Sequence, residues 1–592
     1  MPSPHRLPSL LLALLLAGAV AGCSTSRETT QPDANPPPPE KEEDGQAPAY
    51  VPDEPKESNV PDRRREMPEK SQGEASDAPG SRTPTDWQHL SAEDGYPGVA
   101  TERAYDFLGE RKPKDTVVVA VLDSGLDPDH EDLDAVLWTN RDEAPGNDRD
   151  DDDNGYVDDV HGWNFLGGPD GENVQHDTYE LTRLYADLHA QYGDADPSAL
   201  SDAEREEYAR YQKIKEAFEK KKQKLTSRHS RIERVASFVE RARPALEQAL
   251  GSNEPITLER LQALPPDASA MARRAAQAFA QLLKQTGAPD VGTVAQKVSK
   301  AEEQLSSRLK YGLNPDFNPR PIVGDDYSDA TERIYGNPGV EGPEPGHGTA
   351  VASLIAAERD NDTGIRGVAG AVKIMPVRTV PGGDERDKDV ANAIRYAAAN
   401  GADVINMSFG KGYSPRKAVV DEAVQYADRQ GVLMVHAAGN ESADNDTTDT
   451  FPTDQYAGGG TVENWIEVGA ASAEGDSLLA ASFSNYGQRQ VDLFAPGAQL
   501  QVARPGNNYG RSQGTSLAAP VVSGVAALVM SYYPDLSATQ VKEALLTSAT
   551  DYADRMVRRP GGPEMVRFGA LSRSGGVVNA YEALRAAERM AE

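Results

Sequence analysis

From Trp87 onward the chain alternates between short apolar runs rich in β-branched residues and longer stretches whose apolar positions recur at helical spacing. The clearest run is Thr116-Val117-Val118-Val119-Ala120-Val121-Leu122, which lacks the polar alternation of a half-exposed strand. Such a run reads as a strand covered on both faces, the setting of a parallel sheet. Similar runs predict strands at 372–377, 403–409, 432–437 and 466–470. Helical spacing predicts helices at 99–108, 389–400, 416–430, 538–548 and 580–590. Strands separated by helices of roughly 10 to 15 residues build a mainly parallel sheet with helices on both faces. The expected fold class is therefore α/β.

Two segments break this rhythm. Between about 178 and 310 the composition shifts to Ala, Glu, Lys, Arg, Gln and Leu. There Tyr211, Phe218, Leu225, Ile232, Val239 and Leu246 recur at heptad spacing, with Ile214, Val235 and Ala242 at the complementary positions. The spacing predicts a long helix packed along a seam that also carries Lys221 and Arg228, and a kink at Pro244. With further helices expected at 267–283 and 294–309, this is an all-helical insertion, in which His189 and His229 are surface residues. The second segment, 24–82, is Pro, Glu, Asp, Ser and Arg with almost no large apolar residue. It cannot offset its ordering entropy and reads as a disordered tether, without the strand–helix alternation of a folded propeptide.

Composition narrows the function. A chain of 592 residues is expected to hold more than one structural unit, and 38% hydrophobic content supplies a core once the tether is set aside. A net charge of −33 argues against nucleic-acid binding, which needs a basic face. It suits an acidic envelope protein, or one adapted to salt. The single cysteine, Cys23, permits no intrachain disulfide. It closes Val20-Ala21-Gly22-Cys23, behind His5-Arg6 and an apolar run at 10–21. Roughly 12 apolar residues fall short of the ~20 that span a bilayer, so the run reads as a signal peptide. The ending resembles the bacterial lipobox, which implies acylation of Cys23 and a membrane anchor, each buried methylene adding ~0.8 kcal/mol. Ser24 resembles outer-membrane sorting in Gram-negative bacteria; an ordinary secretion signal is the plainer reading.

The candidate chemistry sits where the apolar runs begin or end. Asp123-Ser124-Gly125 follows the first predicted strand, the end at which parallel sheets gather their ligands. His347-Gly348-Thr349 opens a small-residue helix, and Gly514-Thr515-Ser516 opens the apolar run 517–530, which reads as a buried helix. At that helix's N-terminus free N–H groups favour any negative charge forming beside Ser516. Taken singly, each is equally a turn aspartate, a helix histidine or a capping serine. A fourth feature is the acidic stretch 148–159. Counted from Asp150, it places Asp152, Asn154, Gly155 and Asp158 at positions 3, 5, 6 and 9 of a calcium loop, with the Tyr156 carbonyl at 7. Position 12 is His161 instead of a glutamate, so a solvated acidic loop is the alternative to calcium.

Together the motifs resemble the subtilase family of serine peptidases. The order Asp123, His347, Ser516 is subtilisin's, and so are Asp-Ser-Gly, His-Gly-Thr and Gly-Thr-Ser-Leu-Ala-Ala-Pro. Asn406-Met407-Ser408-Phe409-Gly410, Ala437-Ala438-Gly439-Asn440, Ala481-Ser482-Phe483-Ser484-Asn485-Tyr486-Gly487 and the closing Gly576-Val577-Val578-Asn579-Ala580-Tyr581 resemble the family too. Leu517 replaces the family's usual Met, and the Asp–His gap is far wider than in a minimal subtilase. The resemblance implies a subtilisin-like fold and an endopeptidase with Asp123, His347 and Ser516 as triad. It implies Asn440 and the Ser516 N–H as oxyanion donors, and Ser408, Phe409 and Gly410 as the edge that pairs with an extended substrate. A catalytically silent scaffolding lipoprotein is the alternative. The expected organisation is signal peptide 1–22, tether 23–85, peptidase 86–175, helical insertion 176–312 and peptidase 313–592.

Overall fold

The computed structural model describes residues 83–251 and 254–592. Cys23, the signal peptide and nearly all of the tether lie outside the described residues. The chain divides into two compact units, one formed by His176–Pro319 with Gly382–Asp384, the other by the remaining described residues.

The larger unit is built on a sheet of nine strands. In chain order the strands are β1 (Val117–Asp123), β2 (Trp163–Asn164), β3 (Val372–Arg378), β4 (Val404–Met407), β5 (Leu433–Ala437), β6 (Trp465–Ala471), β7 (Leu493–Pro496), β8 (Leu500–Arg504), β9 (Asn508–Ser512), β10 (Thr550–Asp551), β11 (Met556–Arg558), β12 (Met565–Arg567) and β13 (Gly576–Val577). The main sheet runs β10-β13-β7-β6-β5-β4-β1-β3-β2; β8 pairs with β9 and β11 with β12 as separate hairpins. Every pairing within the main sheet is parallel except β10 with β13.

Both faces of the sheet are covered, which is why its strands read as unbroken apolar runs. Along β1, Val117, Val119 and Val121 enter one core while Ala120 and Leu122 enter the other. The first core is closed by the helices Thr101–Leu108, Gly346–Ala356, Thr515–Tyr532, Ala538–Thr547 and Ala580–Ala591, the second by Asp387–Ala399 and Lys417–Arg429. The helix Thr515–Tyr532 is long and apolar enough to cross a membrane, yet 83% of that stretch is buried inside the protein. It is the central core helix. The short edge strands and both hairpins were not anticipated, because two to five residues carry too little periodicity to stand out.

The smaller unit is all-helical: Glu180–Tyr192, Asp202–Leu250, Leu258–Gln262, Ala270–Thr286 and Val291–Ser307. The long helix starts at a Ser201–Glu204 capping box and includes Pro244 within its span. Its seam serves two sets of partners. Phe218 stacks on Tyr185 at 4.2 Å between ring centres, and Lys221, the charged seam position, sets its ammonium 3.9 Å from the Tyr179 ring. Further along, Val235, Val239, Ala242 and Leu246 share a core with Phe279, Leu283 and Val294. His189 is exposed but bonds the Tyr211 hydroxyl at 2.7 Å; His229 is half-buried, 3.4 Å from Glu302.

Candidate active site

β1 ends in Asp123, whose side chain is 3% exposed and whose carboxylate oxygens accept from Nδ1 of His347 at 2.8 and 3.0 Å. Two glycines permit this approach. A Cβ on Gly348 would fall 2.1 Å from the Gly125 carbonyl oxygen, and one on Gly125, at φ +108°, would fall 2.0 Å from the Glu341 carbonyl. Asp-Ser-Gly and His-Gly-Thr are thus two sides of one close backbone contact. Buried Arg378, whose Nε donates to the Ser124 carbonyl at 3.0 Å, braces the turn; it was not singled out in the sequence, where a strand-end arginine looks like a surface charge.

His347 stands in the first turn of the helix Gly346–Ala356 with 45% of its side chain open to solvent. Desolvation of the ring pulls its pKa down, but the Asp123 carboxylate outweighs that and holds it above the ordinary 6.5. The carboxylate also fixes the tautomer, since a proton on Nδ1 leaves Nε2 of the neutral ring as the base.

Ser516 is the second residue of the helix Thr515–Tyr532. A Cβ on Gly514 would lie 2.8 Å from its Oγ, so that glycine keeps the hydroxyl clear. Asn440 Oδ1 accepts from the Thr515 N–H at 2.8 Å and the Thr515 hydroxyl at 3.2 Å. These bonds identify the oxygen end of the amide, which leaves Nδ2 as a donor. Nδ2 lies 3.8 Å from the same Gly514 Cβ position that neighbours Ser516 Oγ, so amide and hydroxyl face a common space.

A buried relay secures the serine to the sheet. Ser523 Oγ donates to Asn406 Oδ1 at 2.9 Å, Asn406 Nδ2 to Ser408 Oγ at 3.0 Å, and Ser408 Oγ to the Ser516 carbonyl at 2.8 Å. Met407 stands opposite Leu122 in the β1–β4 register, so Ser408 is level with Asp123, one strand spacing of ~4.8 Å away. The Ser408 hydroxyl is therefore committed to Ser516, and the Phe409 carbonyl oxygen lies 2.8 Å from His436 Nε2. Phe409 is half-buried against the second core, and the segment ends where Lys411 and Phe451 exchange backbone hydrogen bonds. Among the described residues no hydrogen bond joins His347 to Ser516; in free enzymes such bonds are often long and tighten when substrate arrives.

The acidic loop is arranged differently from the position count. Oxygens of Glu143, Asp150 and Asp152 lie within 4.8 Å of one another. Asp150 accepts from the Asn154 and Gly155 N–H groups, and Asn154 donates its side-chain amide to Asp152 and Asp159. Asp158, expected in the set, is in the left-handed region at φ 56°, and its carboxylate accepts from the Asn147 and Asp148 N–H groups. The Tyr156 ring is packed between Trp163 and Tyr396. Glu143 was missed because it precedes the loop in sequence and joins it only through folding.

Residues 239–562 match the profile of the Subtilase family, a span that includes His347, Asn440 and Ser516 but not Asp123. Subtilisin DY of Bacillus licheniformis is 38% identical over 213 residues, 35% of this chain and 72% of that protein. The thermophilic serine proteinase of Bacillus sp. (strain AK1) is 43% identical over 186 residues, 31% of this chain and 42% of that protein. Subtilisin E of Bacillus subtilis (strain 168) is 37% identical over 207 residues, and this chain spans half of its length. A solved protease of Pseudoalteromonas arctica PAMC 21717 overlays with a TM-score of 0.42 at 20% identity, over 86% of this chain and 100% of that one. The chain belongs to the subtilase family, the subtilisin-like class of serine endopeptidases.

Proposed function

We propose that the protein hydrolyses peptide bonds of protein substrates through Asp123, His347 and Ser516 by way of an acyl-enzyme. The observation that carries this reading is the pair of bonds at 2.8 and 3.0 Å between His347 Nδ1 and a buried Asp123, beside a serine that opens a buried helix opposite the Asn440 amide. In the first step Ser516 Oγ attacks the carbonyl carbon while His347 Nε2 takes its proton. Negative charge develops on the carbonyl oxygen, and the Asn440 Nδ2 and Ser516 N–H groups donate to it. His347, now an imidazolium stabilised by Asp123, returns the proton to the leaving amine. Water then repeats the sequence on the ester. The segment Ser408–Phe409–Gly410 offers an edge to which an extended substrate adds as a strand.

The same reading extends to the surroundings. The oxygen donors of Glu143, Asp150 and Asp152 suit a hard cation, and calcium there would neutralise the loop and fix its turn; the donor set contains no soft ligand that would favour a transition metal. The run 10–21 and the lipobox-like ending at Cys23 support a protein acylated at that cysteine and held in a bacterial cell envelope, at the outer membrane.

A fluorophosphonate probe tests the activity. It should label the wild-type chain at Ser516 and leave Ser516→Ala unlabelled. A folded wild type that resists the probe, or equal labelling of both proteins, would reject the proposal in favour of a silent scaffold.

A further inference from the structure

His436 lies inside β5, fully buried, opposite Met407 of β4 and opposite Glu467 of β6. Its Nδ1 stands 2.9 and 3.0 Å from the two Glu467 carboxylate oxygens, and its Nε2 stands 2.8 Å from the carbonyl oxygen of Phe409. Both partners present acceptor atoms, so an imidazolium facing a carboxylate satisfies the whole arrangement. Glu467 is further engaged by the Trp465 indole N–H at 3.0 Å, and its own N–H donates to Asp492. Burial opposes charge on the ring, but Glu467 outweighs it and raises the His436 pKa. Whichever partner holds the shared proton, Nε2 keeps its hydrogen, because a carbonyl can only accept.

The place of this contact gives it meaning. His436 precedes Asn440 by one short turn, and Phe409 is the middle residue of the segment assigned above to substrate pairing. Neighbouring carbonyls of extended backbone point to opposite sides of the strand. Drawing the Phe409 carbonyl inward therefore turns those of Ser408 and Gly410 the other way. The flanks are already held, Ser408 by its hydroxyl on Ser516 and Lys411 by its bridge to Phe451. Between them the Phe409 peptide has no strand partner in the sheet, since β4 ends at Met407. A Cβ on Gly410 would lie 3.2 Å from Thr450 Cγ2 and 3.3 Å from the Phe451 carbonyl oxygen, so the glycine eases the close approach of the segment to residues 450–451.

We infer that His436, oriented by Glu467, is a positioning residue that clamps the Phe409 carbonyl and so fixes the register in which the 408–410 edge receives an extended substrate. The inference rests on the peptidase reading above and adds a residue that touches neither the substrate nor the triad. The clamp acts on the pairing of long substrates, while chemistry at Ser516 does not require it. Its loss should therefore appear in KM for peptides long enough to reach the edge, and leave the rate of fluorophosphonate labelling unchanged.

The test uses two double variants of the full chain, both with Glu467→Gln so that no carboxylate is left buried without a cation and Trp465 keeps an acceptor. One adds His436→Gln, which still places an amide donor toward Phe409. The other adds His436→Leu, which has none. The leucine variant should raise KM about tenfold for long peptides, which corresponds to about 1.4 kcal/mol, with labelling within threefold of wild type. The glutamine variant should stay within threefold of wild type on both measures. Equal KM values for the two variants, or an equal loss on long peptides and on the probe, would overturn the clamp. If the leucine variant does not fold, selective 15N-histidine NMR of the wild type decides. A slowly exchanging Nε2–H on His436 supports the clamp, and an unprotonated Nε2 rejects it. Failure of wild-type labelling instead rejects the peptidase reading itself, so the two failures are distinguishable.

Discussion

In the proposed mechanism the two ends of the Asn440 amide perform different tasks, and Asn440→Asp separates them. Oδ1 accepts from the Thr515 N–H at 2.8 Å and so supports the first turn of the Ser516 helix, whereas Nδ2 faces the space beside Ser516 Oγ. Aspartate keeps the acceptor and replaces the donor with a second oxygen. Removing one oxyanion donor costs on the order of 3 kcal/mol of transition-state stabilisation, a value that comes from a subtilisin. A carboxylate about 4 Å from the developing oxyanion adds a repulsion of ~4 kcal/mol at an effective dielectric of ~20. The total of about 7 kcal/mol corresponds to a loss of roughly 10⁵ in kcat, at a pH where the carboxyl is ionised. Asn440→Ala should lose only about 10²-fold in kcat through the missing donor. It also leaves the buried Thr515 N–H without its acceptor, at a cost of about 1–3 kcal/mol in stability. The variants should thus rank in opposite orders, Asp worse in kcat and Ala worse in urea denaturation. Steady-state kinetics at pH 8 and equilibrium unfolding measure both. An aspartate variant as active as the alanine variant would refute the orientation assigned to the amide.

Other outcomes follow from the same contacts. Because the base must be neutral and Asp123 holds the His347 pKa above 6.5, kcat/KM should fall as pH drops through a midpoint above 6.5. Asp123→Asn should move the His347 titration, followed by NMR, to below that midpoint; an unmoved titration contradicts the pairing. Ser408→Ala leaves Asn406 Nδ2 and the Ser516 carbonyl without their partner, so it should destabilise the protein by about 2–4 kcal/mol in denaturant titration, with little change if the relay is unimportant. Chelation should lower the melting temperature, and Asp150→Ala should abolish the effect while Asp158→Ala preserves it; loss of the effect in both variants would restore the position count of the loop. Phe279→Ala, at a fully buried position of the helical unit, should cost about 3–5 kcal/mol, read by the same titration.

Much of this was legible in the sequence because the residues concerned obey local rules. Apolar runs long enough to show their character gave β1, β3, β4, β5 and β6 to within two residues at either end, and the heptad seam gave the long helix. Asp123, His347 and Ser516 were recognisable because each sits in a turn whose glycine is required by a close contact, so the motif records the geometry. What stayed hidden depends on contacts between distant parts of the chain. Glu143 joins the acidic loop only after folding. Arg378, Asn406 and Ser523 resemble ordinary strand or helix residues until their buried partners are known. Lys221 and Arg228 looked like faults in the seam, yet the aromatic ring of Tyr179 accommodates the first. Pro244, where a kink is expected, lies inside one continuous helical span, with Leu246 beyond it fully buried.

The central claim is that Ser516 and His347 act on one substrate carbonyl, and covalent capture tests it most directly. A peptidyl chloromethyl ketone carries two electrophilic carbons, a ketone for the serine hydroxyl and a methylene for the imidazole. The account predicts alkylation of His347 at Nε2, with a 13C-labelled ketone carbon showing the hemiketal signal of attack by Ser516, and loss of that signal in Ser516→Ala. Alkylation of His347 with the carbonyl remaining an ordinary ketone in the wild type, or no alkylation of a properly folded protein, would contradict it.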